Sequence, residues 1–255
     1  MSAVVMPELD YPDDNGEPMS DNTLQFRWIV TLQGGLDALF HADPDVFVAG
    51  DLLWYPVEGQ PKVRVAPDAM VAFGRPKGYR GSYKQWVEGG VAPQVVFEVL
   101  SPSNHAPEMR LKHAFYEKYG VEEYYVYDPD RVTLAGYVRD AGDRLAPVAA
   151  MDGHVSPRLG VRFELADQLI VHTPDGGRFR TYLELVEEAD RDRCLAQAAR
   201  FDAEAERDRA NAARLNAEAE RAKANAERDR AELLQRANEA LRAKLRSAGL
   251  DPDAV

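Results

Sequence analysis

Between about residues 22 and 40, Leu24, Trp28, Leu32, Leu36 and Leu39 recur three and four apart, and this spacing predicts an amphipathic helix. Gly34 and Gly35 weaken its middle, where a bend can form. Three runs rich in Val, Ala and aromatics follow at 46–55, 63–73 and 95–100, and each reads as a buried strand. The stretch 74–90 between the last two is a polar loop. A second helix is predicted over about 107–119, with Pro107 in its first turn and Gly120 as its stop. Next comes a strand at 123–127, closed by Asp128-Pro129-Asp130, and shorter strands at 133–138, 145–148 and 161–165 continue to about Val171. Helix, three strands, helix, strand and a β-rich tail describe an α/β fold, a mixed sheet with helices on its faces.

From about Leu183 the pattern changes to Ala, Glu, Arg and Asp with almost no β-branched residues. Ala205-Glu206-Arg207-Asp208-Arg209-Ala210 recurs three heptads later as Ala226-Glu227-Arg228-Asp229-Arg230-Ala231. Small or apolar residues step by four and three from Cys194 through Ala226, with Asp208 and Asp229 on the same stripe. The segment is a long helix. A coiled coil with a weak alanine seam and a solvated single helix held by charge pairs both fit it. The expected organisation is an irregular arm at 1–20, a globular domain at 21–190, a helical tail at 191–248 and a C-terminal end at 249–255.

The chain has 255 residues, 45% of them apolar, enough for a substantial core. Its net charge of -12 speaks against a sequence-independent nucleic-acid coater, which carries basic excess. That acidity lies in residues 1–190, with 30 acidic and 17 basic side chains; a local basic groove remains compatible with it. The single cysteine, Cys194, excludes an internal disulfide framework and a Cys-based zinc site. No apolar run reaches membrane-spanning length, and the first residues lack a signal-peptide pattern, so a soluble cytoplasmic protein with no membrane partner is expected.

The candidate chemistry lies where charge interrupts apolar runs. Asp68 follows Pro67 within the 63–73 run, and Glu98 stands inside Val-Val-Phe-Glu-Val-Leu. A carboxylate among such neighbours is costly unless a cation or hydrogen bonds satisfy it. Two acids on neighbouring strands make a hard-cation site the economical explanation, with the Val99 carbonyl as a further oxygen donor. Carboxylate-held Mg²⁺ or Mn²⁺ suits phosphodiester hydrolysis. Lys112 on the following helix can orient water or stabilise developing charge, and Glu108 lies one turn before it.

Pro67-Asp68, Glu98-Val99-Leu100-Ser101-Pro102-Ser103, Lys112, Tyr116 and Val121–Pro129 together resemble the Uma-two family, restriction-endonuclease-like proteins of the PD-(D/E)XK nuclease superfamily. The likeness covers roughly residues 20–190. It implies a restriction-endonuclease-like fold, Mg²⁺-dependent DNA hydrolysis, a homodimer and no small-molecule cofactor. On it, Asp68 takes the Asp of the superfamily motif and Glu98 the second acid. Leu100 stands where the usual lysine would be, and Lys112 takes that role from the next helix. Glu108 stands where relatives often carry Asp.

Other readings fit the same residues. Asp68 can cap a turn, Glu98 can pair with an arginine, and Asp51 can be an edge-strand charge. Arg75, Lys77, Arg80 and Lys84, among Tyr79, Tyr83 and Trp86, suit phosphate and base contact as well as plain loop solvation. His105 reads as a loop residue, and Tyr116, Tyr119, Tyr124, Tyr125 and Tyr127 as core or sheet surface. At the level of function, an inactive nuclease fold serving as a nucleic-acid-binding or regulatory module, or an assembly protein using its tail, stand as alternatives to a nuclease.

Overall fold

The computed structural model describes residues 10–14, 16 and 19–249. Residues 1–9, 15, 17 and 18 of the expected arm, and the C-terminal end from residue 250, lie outside the described residues.

Helix α1 (Thr23–Leu39) is started by Asn22, whose side chain accepts the N–H groups of Leu24 and Gln25 at 3.0 and 2.9 Å. Of its predicted stripe, Trp28, Leu32 and Leu36 are buried, the two leucines fully, and Leu24 and Leu39 are half-buried. The helix is continuous through Gly34 and Gly35 in one span. Gly35 admits the Phe179 ring, which a Cβ there would overlap, whereas a Cβ at Gly34 meets nothing. Adjacent glycines therefore have opposite expected responses. Gly34→Ala should stabilise by up to about 1 kcal/mol through helix propensity. Gly35→Ala should destabilise by about 1–3 kcal/mol through overpacking. Thermal melts of the two variants read the signs directly.

The sheet has the order β1 (Val46–Ala49), β3 (Ala69–Phe73), β5 (Val95–Val99), β6 (Glu123–Asp128), β7 (Thr133–Arg139) and β8 (Leu145–Pro147). Only β5 and β6 pair in parallel, joined by helix α2 (Ala106–Tyr119); all other neighbours in it are antiparallel. Gly120 ends α2 at φ 97°, a left-handed conformation that costs glycine little. Short strands β2 (Trp54–Tyr55) and β4 (Tyr83–Lys84) form a parallel pair, and β9 (Arg162–Leu165) with β10 (Leu169–His172) a hairpin.

Two predicted strands are shorter than the apolar pattern suggested. The run 46–55 breaks between β1 and β2, where Asp51 takes a left-handed φ of 47°. Asp51 is thus a turn residue and not a strand charge. In 63–73, Pro67 has no N–H to give a ladder, Val65 makes only an isolated bridge to Trp54, and β3 begins at Ala69. Asp68 therefore stands one residue before its strand. The 74–90 segment also contains β4, so it is not simply a loop.

Alternation along the strands sorts side chains onto two faces. Val95, Phe97 and Val99 pack with Trp28, Leu32 and Leu36 of α1. Val96, Met70 and Ala72 pack with Tyr116 and neighbouring aromatics on the other side. The sheet is therefore a mixed α/β layer with α1 on one face and α2 on the other.

The chain divides into two compact units, residues 1–186 and 187–255. Helix α3 (Tyr182–Ser247) spans 66 residues, none of them buried. Charge pairs line it, among them Arg214–Glu218 at 2.9 Å and Lys223–Glu220 at 3.0 Å. Among the described residues, no helix is long and apolar enough to cross a membrane.

Candidate functional site

The antiparallel register of β3 on β5 pairs Ala69 with Phe97 and Met70 with Val96. Continuing it by one residue sets Asp68 opposite Glu98. Residues two apart share a face, so Glu98 follows Val96, and Asp68 follows Met70, onto the side covered by α2. There Glu108, Lys112 and Tyr116, spaced by four, form one stripe of α2. Sheet register and helix period thus bring Asp68, Glu98 and Lys112 together.

Glu98 is 3% exposed, yet both its oxygens have donors. Lys112 Nζ donates to Oε2 at 2.7 Å, and the Tyr116 hydroxyl donates a short bond to Oε1. Burial works against the Lys112 charge, but the charge and hydrogen bond of Glu98, together with the charges of Asp68 and Glu108, raise the ammonium's pKa. Burial and the Glu98 charge push the Tyr116 phenol well above its ordinary range, so it stays a donor. Asp68 Oδ2 accepts the Val99 N–H at 2.6 Å, a bond that β3 has stopped supplying. Burial first, and then the charge of Glu98, push the Asp68 carboxyl well above the usual carboxylate range, against the pull of Val99 and Lys112. The Val99 carbonyl accepts from Gln25 Nε2 of α1 at 2.8 Å, which leaves one lone pair for another partner.

A cleft of about 580 Å³ opens over this cluster, lined by Asp51, Arg64, Asp68, Glu108 and Lys112 among others. Glu98 and Val99 lie behind this lining. Asp51 also feels the cluster: burial raises its pKa, Lys112 lowers it, and Asp14 and Glu98 raise it further. At the rim, the Ser101 hydroxyl donates to Asp21 Oδ2 at 2.5 Å, as does Ser103, and burying little of Asp21 leaves these bonds free to lower its pKa.

Two contributors had no clear sequence signal for their roles. Tyr116 is a core residue that also holds Glu98; its spacing of four from Lys112 was the available clue. Arg64 lies in an irregular strap between β2 and β3. Its Nη1 donates to the Tyr55 hydroxyl at 3.3 Å, and it has no ion-pair partner among the described residues. Conversely, the 75–84 basic residues are engaged internally. Arg80 pairs with Glu88 at 2.6 Å and covers the Phe47 ring at 3.9 Å, Arg75 donates to the Glu88 carbonyl, and Lys77 donates to the Val46 carbonyl. His105 is the residue preceding α2, without a side-chain capping bond.

The donors suit a hard divalent ion better than a closed zinc centre. Among the described residues, no three His, Cys, Asp or Glu side chains are grouped to enclose a metal. Two carboxylates with a carbonyl nearby match the open, partly hydrated binding that Mg²⁺ favours.

A family model named Uma2 and described as "Putative restriction endonuclease" matches residues 11–170. No curated protein matches the chain. Among solved structures, the crystal structure of "a putative nuclease belonging to DUF820" from Anabaena variabilis is similar at 14% identity, covering 54% of this chain and 73% of that one with a TM-score of 0.41.

Proposed function

We propose that this chain, which belongs to the Uma2 family, is a metal-dependent endonuclease that hydrolyses DNA phosphodiesters at the Asp68–Glu98–Lys112 cluster. The observation that carries this reading is the pair of acids opposed across β3 and β5, with the Lys112 ammonium 2.7 Å from Glu98. A structural ion pair alone needs one acid. The second, Asp68, raises the electrostatic cost and leaves carboxylate oxygen facing a cleft.

In this proposal Asp68, Glu98 and the Val99 carbonyl would hold Mg²⁺ or Mn²⁺. The ion would supply positive charge for the phosphate oxygens and an acidified water. Lys112 donates to the Glu98 oxygen that a cation would need, so the two compete for it. Its ammonium already lines the cleft, where it would stabilise charge developing on the phosphate. Tyr116 keeps the other Glu98 oxygen in place throughout, and Gln25 fixes the Val99 carbonyl from α1. Leu100 cannot take this part, so the helix-borne lysine is the only cation on the cluster itself among the described residues.

Arg64 is the proposed phosphate anchor, since its guanidinium faces the cleft and lacks a carboxylate partner among the described residues. Arg64→Ala should weaken binding to duplex DNA by about tenfold across sequences and lower the salt dependence by about one phosphate contact. Fluorescence anisotropy at several salt concentrations reads both; an unchanged affinity would remove Arg64 from the site.

The reading as a whole is tested on supercoiled plasmid with Mg²⁺ or Mn²⁺. Nicking or linearisation is expected from the wild type and should be lost with EDTA and in Asp68→Ala, Glu98→Ala and Lys112→Ala. DNA binding without cleavage by any of them, in either metal, would assign the fold to a nucleic-acid-binding module instead.

A further inference from the structure

Helix α3 is about 100 Å long at 1.5 Å per residue, yet it buries none of its side chains. Phe201, Leu215 and Leu233 are 72, 65 and 70% exposed, although they share one stripe. Along that stripe the heptad position a is alanine at 198, 205, 212, 219 and 226, and then Leu233. Position d carries Cys194, Phe201, Leu215 and Ala222, interrupted by Asp208 and Asp229. A seam of small and apolar residues broken only at Asp208 and Asp229, open on a lone helix, calls for a second helix.

The flanking charges identify that helix and its direction. In a parallel, in-register pair, each g residue meets the e residue five positions later on the partner. Here that match sets Glu204 against Arg209, Asn211 against Asn216, and Glu218 against Lys223 of a second copy. Asn225 meets Arg230, and Glu239 beyond the seam meets Lys244. No like charges meet at these flanks. An antiparallel pair over the same seam faces g with g and e with e; it sets Glu204 against Asn225 and Glu218 against Asn211, leaving only Asp202 with Lys223 as an opposite-charge match, so the parallel pair makes more of them. In the single chain, Glu218 and Lys223 make only exposed pairs within their own helix, which leaves them available to a partner.

We infer that α3 is a parallel, in-register coiled coil with a second copy of this chain, with its seam running from Cys194 to Leu233. The inference rests on α3 alone and is independent of the proposed nuclease site. Asp208 and Asp229 meet their own copies at d, so the coil is weak and strengthens when they are removed.

The only cysteine in the chain makes the register directly testable. In this arrangement Cys194 faces Cys194 of the second copy across a d layer. Full-length protein should sediment as a dimer, and oxidation by copper-phenanthroline should link it through Cys194. The control is Cys194→Ser with Ala203→Cys, which moves the thiol to the outer face of the same helix. The native thiol should cross-link at least about tenfold faster than the control, reflecting its higher effective concentration. Glu204→Lys with Glu218→Lys should give monomer, as should Arg209→Glu with Lys223→Glu, and mixing the two variants should restore a dimer. Asp208→Leu with Asp229→Leu should lower the dissociation constant. A monomeric wild type overturns the inference. A dimer whose cysteines link no faster than the control, or one indifferent to both charge reversals, overturns the parallel register.

Discussion

Lys112→Met is expected to lower the stability of the metal-free protein sharply and at the same time to tighten its hold on Mn²⁺. Glu98 is 3% exposed, and without the ammonium at 2.7 Å only the Tyr116 hydroxyl would answer its charge. Removing one partner of a buried pair costs about 3–5 kcal/mol, which corresponds to a fall in melting temperature of roughly 10 °C for a unit of this size. Mn²⁺ should restore most of that loss, since a ligand held at a hundred times its dissociation constant contributes about 2.7 kcal/mol. Affinity should rise because no internal cation has to leave Glu98 first. Cleavage should nevertheless fall by about a hundredfold or more, because the ammonium that stabilises developing charge is gone. Differential scanning fluorimetry with and without Mn²⁺ separates these effects. A variant that melts like the wild type, or binds Mn²⁺ less well, would show that Lys112 does not hold the Glu98 charge in competition with metal.

Asp68→Asn should move stability the other way. The carboxylate is desolvated and faces the charge of Glu98, while its one direct hydrogen bond, from the Val99 N–H at 2.6 Å, can be accepted equally by an amide oxygen. Neutralising it removes a repulsion and keeps the bond, so the metal-free protein should gain about 1–2 kcal/mol, a rise of about 3–6 °C. The same change removes a proposed metal ligand, so stabilisation by Mn²⁺ and plasmid cleavage should both disappear. That combination, more stable and inactive, distinguishes a functional acid from a strand-end cap. If Asp68 merely capped the end of β5, Asn would raise stability in the same way but would not alter any response to metal.

These opposed effects follow from two features with unequal visibility in the sequence. Glu98 could be found because a charge inside Val-Val-Phe-Glu-Val-Leu contradicts its surroundings, and Lys112 because helical spacing and family resemblance agreed. The partnership between Asp68 and the Val99 N–H could not, since it depends on where β3 ends and how β3 and β5 are registered. Tyr116 was read as core, which it is; its hydroxyl matters only once β5 is placed beneath α2. Arg64 sits in a strap with no period to interpret. The basic residues of 75–84 show the converse limit of local reading, which left phosphate contact and loop solvation both open. Their pattern suits phosphate contact, but Glu88, Phe47 and backbone carbonyls distant in sequence hold Arg75, Lys77 and Arg80. Strand lengths failed for a related reason: apolar runs continue across the left-handed turn at Asp51 and across Pro67, where backbone pairing stops.

The measurement closest to the central proposal is a calorimetric titration of Mn²⁺ into full-length protein, run beside Asp68→Asn and Glu98→Gln. Saturable binding by the wild type, lost or weakened at least about tenfold in each variant, is the expected result. Binding that is absent from the wild type, or is the same in all three proteins, would contradict a metal site built on Asp68 and Glu98.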